Sequence, residues 1–396
     1  MRTVDEHQRA VAALITPRPA ESLPVAETLG LVLAADVVAP LSLPGFDNSA
    51  MDGYAVLAAD VATASAEQPV RLPVTEDIPA GRTDIPTIEP GTAQRIMTGA
   101  PLPTGATAVV PVEATDGAVD TVTIWAGARD GQHIRRAGED VTAGTVVLHA
   151  GQVLTPAALG LAAALGLGEL TVIPRQRVLL MSTGTELLAP GTPLRPGQIY
   201  ESNAVMLAAA VRDAGGEVVA SAMSGDDVDT FRATLHAHLS GADLVITTGG
   251  VSAGAYEVVK DALAGPVEFV KVAMQPGMPQ GLGTLEDGTP IITLPGNPVS
   301  ALVSFEVFVR APLRAAMGLA DPHRPRRTAE LTEALTSPRG KRQFRRGVLT
   351  GDSVTSYGPP ASHHLRWLAS ANCLLELDED TTDVAAGTAV TVWDLR

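Results

Sequence analysis

Three glycine-bearing segments and a few carboxylates are where this chain of 396 residues could do chemistry. STGTE (182–186), TGGVSAG (248–254) and LPGNP (294–298) each follow a strand-like run. Open parallel α/β sheets bind ligands beyond the carboxyl ends of their strands. Glycines there, Gly184, Gly249, Gly250 and Gly296, let the backbone approach a ligand closely. In the third segment Asn297 reads as an N-cap and Pro298 as the first helical residue, leaving free N–H groups for an anion. Ordinary strand-to-helix turn chemistry explains any one segment alone; three at one sheet edge point to a site.

The carboxylates fall in the same places. Glu186 lies just past a strand end, and Asp226–Asp227 lie in the loop before a helix. Helix capping accounts for either aspartate by itself. Grouped with Glu186 across adjacent strand ends, they could hold a hard cation such as Mg²⁺ through oxygen ligands. A different chemistry is written in Gly250–Val251–Ser252–Ala253–Gly254, which matches the G-x-S-x-G nucleophile elbow of serine hydrolases. Asp321 with His323, or His363 or His364, could complete a triad. Few strands precede the elbow, however, and the additional Gly249 suits an anion cradle better, so the hydrolase is the secondary reading. The basic segment Arg339, Lys341, Arg342, Arg345 and Arg346 reads either as a solvated hairpin or as phosphate contacts. The acidic run 376–383 reads as a solvated turn. His236 and His238, two apart on a helix, cannot share a face or a metal.

Composition narrows the partners. Lys and Arg number 28 against 44 Asp and Glu, a net charge of −16, the wrong sign for a general nucleic-acid binder. An anionic substrate must then be met by local basic groups, backbone N–H groups or a metal. The single cysteine, Cys373, excludes an intramolecular disulfide and a cysteine-based zinc site. No apolar leader opens the sequence, and the longest apolar run (157–168) is too short to span a bilayer. A cytoplasmic protein with no membrane partner is expected.

The elements that must position these residues fall into blocks. Residues 4–15 and 24–35 read as helices. Residues 45–140, rich in Val, Thr, Pro and Gly, read as a small β unit with strands near 108–112 and 119–125. From 175 the texture alternates: strands at 177–182, 215–223, 242–248 and 290–294, and helices at 203–214, 228–239, 257–263 and 298–317. That alternation predicts a doubly wound, mainly parallel α/β sheet. Residues 328–396 return to short strands. The expected domains are 1–44 with 141–174, an inserted β domain at 45–140, an α/β domain at 175–323 and a C-terminal β domain at 324–396.

Together these segments resemble the molybdopterin molybdenumtransferase (MoeA) family, whose eukaryotic relative is the E domain of gephyrin. The resemblance rests on PGFDNSAMDGYAV (44–56), RIMTGAPLPTGATAVVPVE (95–113), IRRAGEDV (134–141), STGTEL (182–187), GGVSAG (249–254) and LPGNPVSA (294–301), and covers nearly the whole chain. It implies an elongated two-segment N-terminal domain, an inserted β domain, a molybdopterin-binding α/β domain and a C-terminal β barrel. It also implies an activity: adenylyl-molybdopterin and molybdate are converted to molybdenum cofactor and AMP, with Mg²⁺, by a homodimer whose cleft both subunits line. By motif, Asp52, Thr98 and Asp140 match cleft positions in the N-terminal domains, and Glu186 and Asp226 match acidic positions of the α/β domain. Pro295 and Pro298 match its last ligand loop; Arg346 and Ser362 match C-terminal positions near the cleft. Asp52, Thr98, Asp140 and Glu186 are therefore the expected catalytic residues. Ser252 and Gly250 belong to the second ligand loop.

Two departures stand out. Many relatives have an aspartate where this chain has Glu257, which keeps the charge one methylene further out as a third expected metal ligand. The family's lysine-bearing KPGKP reads here Gln275–Pro276–Gly277–Met278–Pro279, with Lys271 the nearby cation. These changes motivate an alternative, a paralogue that binds molybdopterin without turnover.

Overall fold

The computed structural model describes residues 1–251 and 258–396. They form two compact units, one of Met1–Ser22, Gly30–Ala34 and Thr171–Arg396, the other of Leu23–Leu29 and Ala35–Leu170.

The first unit is built on a six-stranded sheet. Its order is Glu217–Ser224, Arg177–Thr183, Leu244–Thr248, Pro290–Leu294, Pro279–Thr284, Val267–Lys271. The first four strands are parallel; Pro279–Thr284 runs antiparallel to both its neighbours, so the edge strand Val267–Lys271 again points the same way as the first four. Runs such as VLLM (178–181) are apolar throughout because both faces are covered. Val178 and Leu180 pack with helices Val4–Leu14, Asn203–Asp213 and Pro298–Ser304, while Leu179 and Met181 pack with Val228–Leu239 and Val258–Ala262. This is the doubly wound sheet expected from the alternation.

The last two strands of the sheet, Pro279–Thr284 and Val267–Lys271, were not legible in advance. Pro279–Thr284 carries Gly281 and Gly283, residues that ordinarily weaken a strand. Here a Cβ at Gly283 would run into the Pro266 carbonyl and one at Gly281 into Thr293 Oγ1; close approach requires glycine. The expected helix over 24–35 is absent. It is replaced by strand Glu21–Pro24, a 3₁₀ turn at Val25–Glu27 and strand Val32–Leu33. Gly30, at φ +75°, turns the chain out of any helix, and Val32–Leu33 pairs with Val172 and Ile173 instead.

The long C-terminal helix of the sheet domain is interrupted. Pro298–Ser304 and Arg310–Ala316 are α-helical, but Phe305–Val309 forms a π-helical turn. Pro312 explains it, since its ring has no N–H and collides with the carbonyl four residues back; the wider turn opens there, with Arg310 N–H reaching Phe305 O. Gln8 Nε2 donates to the Val307 carbonyl at 3.0 Å.

His7 lies against the same turn, fully buried and edge-on to Phe308 with ring centroids 4.6 Å apart. Neither ring nitrogen has a hydrogen-bond partner among the described residues. Burial, reinforced by the Arg2 charge, pushes its pKa from 6.5 down to about 4. The unfolded chain therefore takes up this proton near pH 6.5 and the folded one only near pH 4. Stability should be complete above pH 6.5 and fall by roughly 3 kcal/mol as pH drops to 4. Urea titrations of wild type and His7→Leu across that window test this: the variant should lose that part of the slope, and identical slopes would refute it.

Residues 326–394 close a five-stranded barrel. Arg342–Thr350 pairs with Ser353–Ser356, then come Arg326–Leu331, Ala389–Asp394 and Cys373–Leu377, which pairs back to Arg342–Thr350. The acidic run at 376–383 is more than a solvated turn. Glu379 binds Arg342 Nε at 3.1 Å, and Glu376 accepts from Trp393 Nε1 at 2.7 Å, so it supplies counter-charge to the basic segment across the barrel wall. Cys373 faces the interior opposite Gly347, where burial and the Asp394 charge push its thiol up to about 12. Native protein should consume no thiol reagent at pH 8 and one equivalent after denaturation; rapid native labelling would contradict this burial.

The second unit carries a five-stranded sheet in the order Ala108–Pro111, Gly53–Val56, Ala93–Ile96, Val70–Ile78, Thr121–Ile124. Its core is built on Tyr54, Val56, Leu72, Val110 and Ile124. Gly53 has no room for a side chain, because a Cβ would meet the Val110 carbonyl of the paired strand. Among the described residues no helix is long and apolar enough to cross a membrane.

Candidate functional site

The carboxyl ends of the parallel strands open into a cleft of about 1150 Å³. The order of the sheet reverses beside Arg177–Thr183, which has the second strand on one side and the third on the other; this is the switch point at which such sheets bind ligands. Gly184, Glu186, Asp226, Gly249, Gly250, Lys271, Pro295, Gly296, Asn297, Pro298 and Ser362 all line it. Eleven of the residues singled out from sequence are thereby gathered in one place.

The first loop is held to its neighbour by side chains. Thr185 donates to Asp226 Oδ2 twice, from N–H at 3.1 Å and Oγ1 at 2.8 Å, joining the ends of two adjacent strands. Gly184 adopts φ +150°, and a Cβ there would sit 2.5 Å from Glu186 Oε2. The Glu186 carboxylate thus folds back over Gly184, whose backbone conformation favours glycine. Asp227 is the capping residue of the pair, accepting from Thr230 N–H at 2.8 Å and Oγ1 at 2.7 Å. Those bonds hold its carboxyl below the usual range. Capping and cleft functions are divided between consecutive aspartates.

The second loop turns on two left-handed glycines. A Cβ at Gly249 (φ +89°) would meet the Thr183 carbonyl at 2.9 Å, and one at Gly250 (φ +62°) would meet Val259 at 2.8 Å. Gly249 N–H bonds to the Leu294 carbonyl, and Gly296 packs on Gly249. Beneath them the buried Glu201 accepts from Ser182 Oγ and Ala204 N–H, both at 2.8 Å. Ser252 and Glu257, the expected nucleophile-elbow serine and third metal ligand, lie outside the described residues.

In the third loop Asn297 takes the N-cap position without a side-chain hydrogen bond, and Pro298 is the first helical residue. The expected set of free N–H groups is reduced there, because Val299 N–H bonds to the Ser362 carbonyl at 3.1 Å. Asn203, which the sequence reading passed over, also lines the cleft and donates to the Gly296 carbonyl at 2.7 Å.

Arg346 is not at the cleft surface. It is buried, and its guanidinium donates to the carbonyls of Pro359, Ala361 and His364. It thereby shapes the segment that brings Ser362 and His363 to the cleft. Opposite, the segment from Gln275 to Pro279 is held from behind. Gln343 Nε2 donates to Gln275 Oε1 at 3.0 Å, and the buried Gln280 donates to Gly277 O and Ser304 Oγ, both at 2.7 Å. Lys260 also lines the cleft. Its rarity was the available signal: the chain has three lysines.

Asp52, Thr98 and Asp140 belong to the other unit. Asp52 Oδ1 accepts from Thr98 N–H at 2.6 Å and from Thr98 Oγ1 at 2.8 Å, and these bonds lower its pKa. Asp140 is exposed.

Among the described residues no group of three or more His, Cys, Asp or Glu side chains could hold a metal. Mg²⁺, however, keeps several waters and is commonly held by one or two carboxylates plus substrate phosphates. Glu186 and Asp226 in one cleft fit an ion of that kind, not a caged one.

Three sequence-family profiles match the chain: "MoeA N-terminal region (domain I and II)" over residues 2–166, "Probable molybdopterin binding domain" over 179–315 and "MoeA C-terminal region (domain IV)" over 328–395. A molybdopterin molybdenumtransferase 2 of Mycobacterium tuberculosis is 67% identical over 405 residues, covering 100% of both chains. A molybdopterin molybdenumtransferase 1 of the same species is 39% identical, covering 99% of this chain and 98% of the relative. The crystal structure of the molybdopterin biosynthesis MoeA protein of Pyrococcus horikosii superposes with a TM-score of 0.81 at 29% identity, covering 100% of this chain and 99% of that one. With its sheet edge, its glycine loops and these full-length relatives, the chain belongs to the molybdopterin molybdenumtransferase (MoeA) family.

Proposed function

We propose that this protein is an enzyme of molybdenum cofactor biosynthesis that inserts molybdenum from molybdate into adenylyl-molybdopterin and releases AMP. The observation that carries the reading is the gathering of Glu186, Asp226 and three ligand loops at the sheet's switch point, in a chain with a full-length molybdenumtransferase relative at 67% identity. Water cleaves the phosphoanhydride joining molybdopterin phosphate to the adenylate, giving AMP and the free molybdopterin phosphate, and the two dithiolene sulfurs bond molybdenum in place of one molybdate oxygen, which leaves with two protons as water, with no change of oxidation state.

Glu186 and Asp226 would hold Mg²⁺, which when bound offsets phosphate charge that two carboxylates would otherwise repel. Gly249, Gly250 and Gly296 bring backbone to within contact of a phosphate or the pterin. Asn203 and Ser362 offer neutral polar groups for orientation. Asp52 orients water or molybdate, or carries a proton as the adenylate leaves, with Thr98 fixing its carboxylate. The reading includes a homodimer in the cytoplasm, with Asp52, Thr98 and Asp140 reaching the cleft from the second subunit.

A single-turnover reaction tests it: purified protein, adenylyl-molybdopterin, Mg²⁺ and low molybdate, followed for AMP. Prompt AMP with active cofactor formed is the expected result. Tight binding of adenylyl-molybdopterin without AMP would favour the second reading, a paralogue that binds without turnover. That reading is motivated by Gln275 and Met278 in the cleft wall.

A further inference from the structure

His133 is the one non-glycine residue, among those described, whose backbone is left-handed, at φ +56°. Glycine visits that region freely and asparagine or histidine less so, whereas β-branched residues are nearly excluded. A side-chain-bearing residue stays there only where the surrounding structure overrides its local preference.

The conformation sets where the backbone goes next. The turn before His133 is tied to the edge of the five-stranded sheet: Gly131 N–H donates to Thr107 O at 2.7 Å, and Gln132 O accepts from Val109 N–H at 3.0 Å. The residues after it, Ile134–Arg135, pair antiparallel with Asn48–Ser49. Between these two attachments the His133 carbonyl accepts from Ala50 N–H at 2.9 Å. The left-handed residue thus passes the chain from the sheet to the segment that carries Asp52.

That segment is anchored on its other side as well. Ser49 N–H donates to Ala100 O at 3.1 Å, and Ser49 O accepts from Gly99 N–H at 2.8 Å. Both bonds lie next to Thr98, which holds the Asp52 carboxylate. Asp52 itself is exposed, so its position depends on these backbone anchors and not on burial. Of the two sides, the one at 133 is kept against local preference.

We propose that His133 is a positioning residue: its left-handed backbone aims a carbonyl at Ala50 and so keeps Asp52 in place beside Thr98, while the imidazole takes no part in the chemistry. The inference rests on reading Asp52 as a reacting carboxylate of molybdenum insertion. A displacement of about 1 Å at such a group can cost about 10²-fold in rate.

The test is a series at one position, His133→Gly, His133→Asn, His133→Ala and His133→Val, ordered by how readily each residue turns left-handed. Two readouts are taken on the full chain: backbone hydrogen exchange over 48–52, and single-turnover AMP release as a function of pH and substrate concentration. Exchange in the valine variant should be about 10-fold or more faster than in wild type, with glycine and asparagine near wild type and alanine between. The saturating rate should follow the same order, falling up to about 100-fold with valine, at an unchanged half-saturating concentration of adenylyl-molybdopterin. The acid limb of the valine profile should move upward, because the Thr98 bonds that lower the Asp52 pKa are loosened.

Equal exchange across the series overturns the proposal, as does faster exchange in the valine variant with an unchanged rate. A glycine variant as slow as the valine one also overturns it, since the imidazole would then be the group at work. A wild type that releases no AMP would refute the proposed function instead. Graded exchange would in that case still support His133 as the residue that sets the Asp52 segment.

Discussion

With Glu186 replaced by Gln, single-turnover AMP release should fall by about 10²–10³, the usual loss when one electrostatic contact made in the transition state is removed. Glu186 lines the cleft and lies against Gly184, whose backbone conformation, at φ +150°, favours glycine. The substitution keeps shape and removes charge, so circular dichroism should be unchanged. A negative side chain at an anion's site is counterproductive unless it holds a cation. The variant should therefore also lose most of the Mg²⁺ dependence of the rate, which a merely structural glutamate would not influence. A wild-type rate with an unchanged Mg²⁺ titration would remove Glu186 from the metal site.

Asp52→Asn should cost about as much, about 10²–10³ in the same assay, for a different reason. An asparagine oxygen can still accept both Thr98 hydrogen bonds, now 2.6 and 2.8 Å, so the loop keeps its form while the charge is lost. Thr98→Ala provides the complementary result. It removes the hydroxyl bond that helps lower the Asp52 pKa, so the acid limb of the pH–rate profile should move upward toward the ordinary carboxylate value. Wild-type turnover in Asp52→Asn, or an unmoved acid limb in Thr98→Ala, would show that Asp52 is not in the reaction.

That the three glycine loops share one cleft could be read from the sequence because it depends on short-range rules. Strands buried on both faces are apolar throughout, loops after them that meet a ligand carry glycine, and VLLM followed by STGTE states both. Motif order was also enough to identify the family, since six long segments in register leave little room for accident. The C-terminal barrel was expected from the family resemblance alone; the residues themselves showed only short alternating runs, because closure depends on which strand pairs with which.

Long-range approach decided what the sequence could not. Gly281 and Gly283 look like loop residues until the strand beside them is in place. The helix that Pro24 seemed to open does not form, and Gly30 turns the chain into a strand instead. The two adjacent aspartates are indistinguishable in sequence; only the positions of Thr185 and Thr230 assign one to the cleft and the other to a helix cap. Arg346 reads as a phosphate ligand until three carbonyls are found around its guanidinium, and Lys260 goes unremarked until its helix is seen to border the cleft. Type and spacing determine what a residue can do locally, whereas its partner depends on which distant backbone is packed against it.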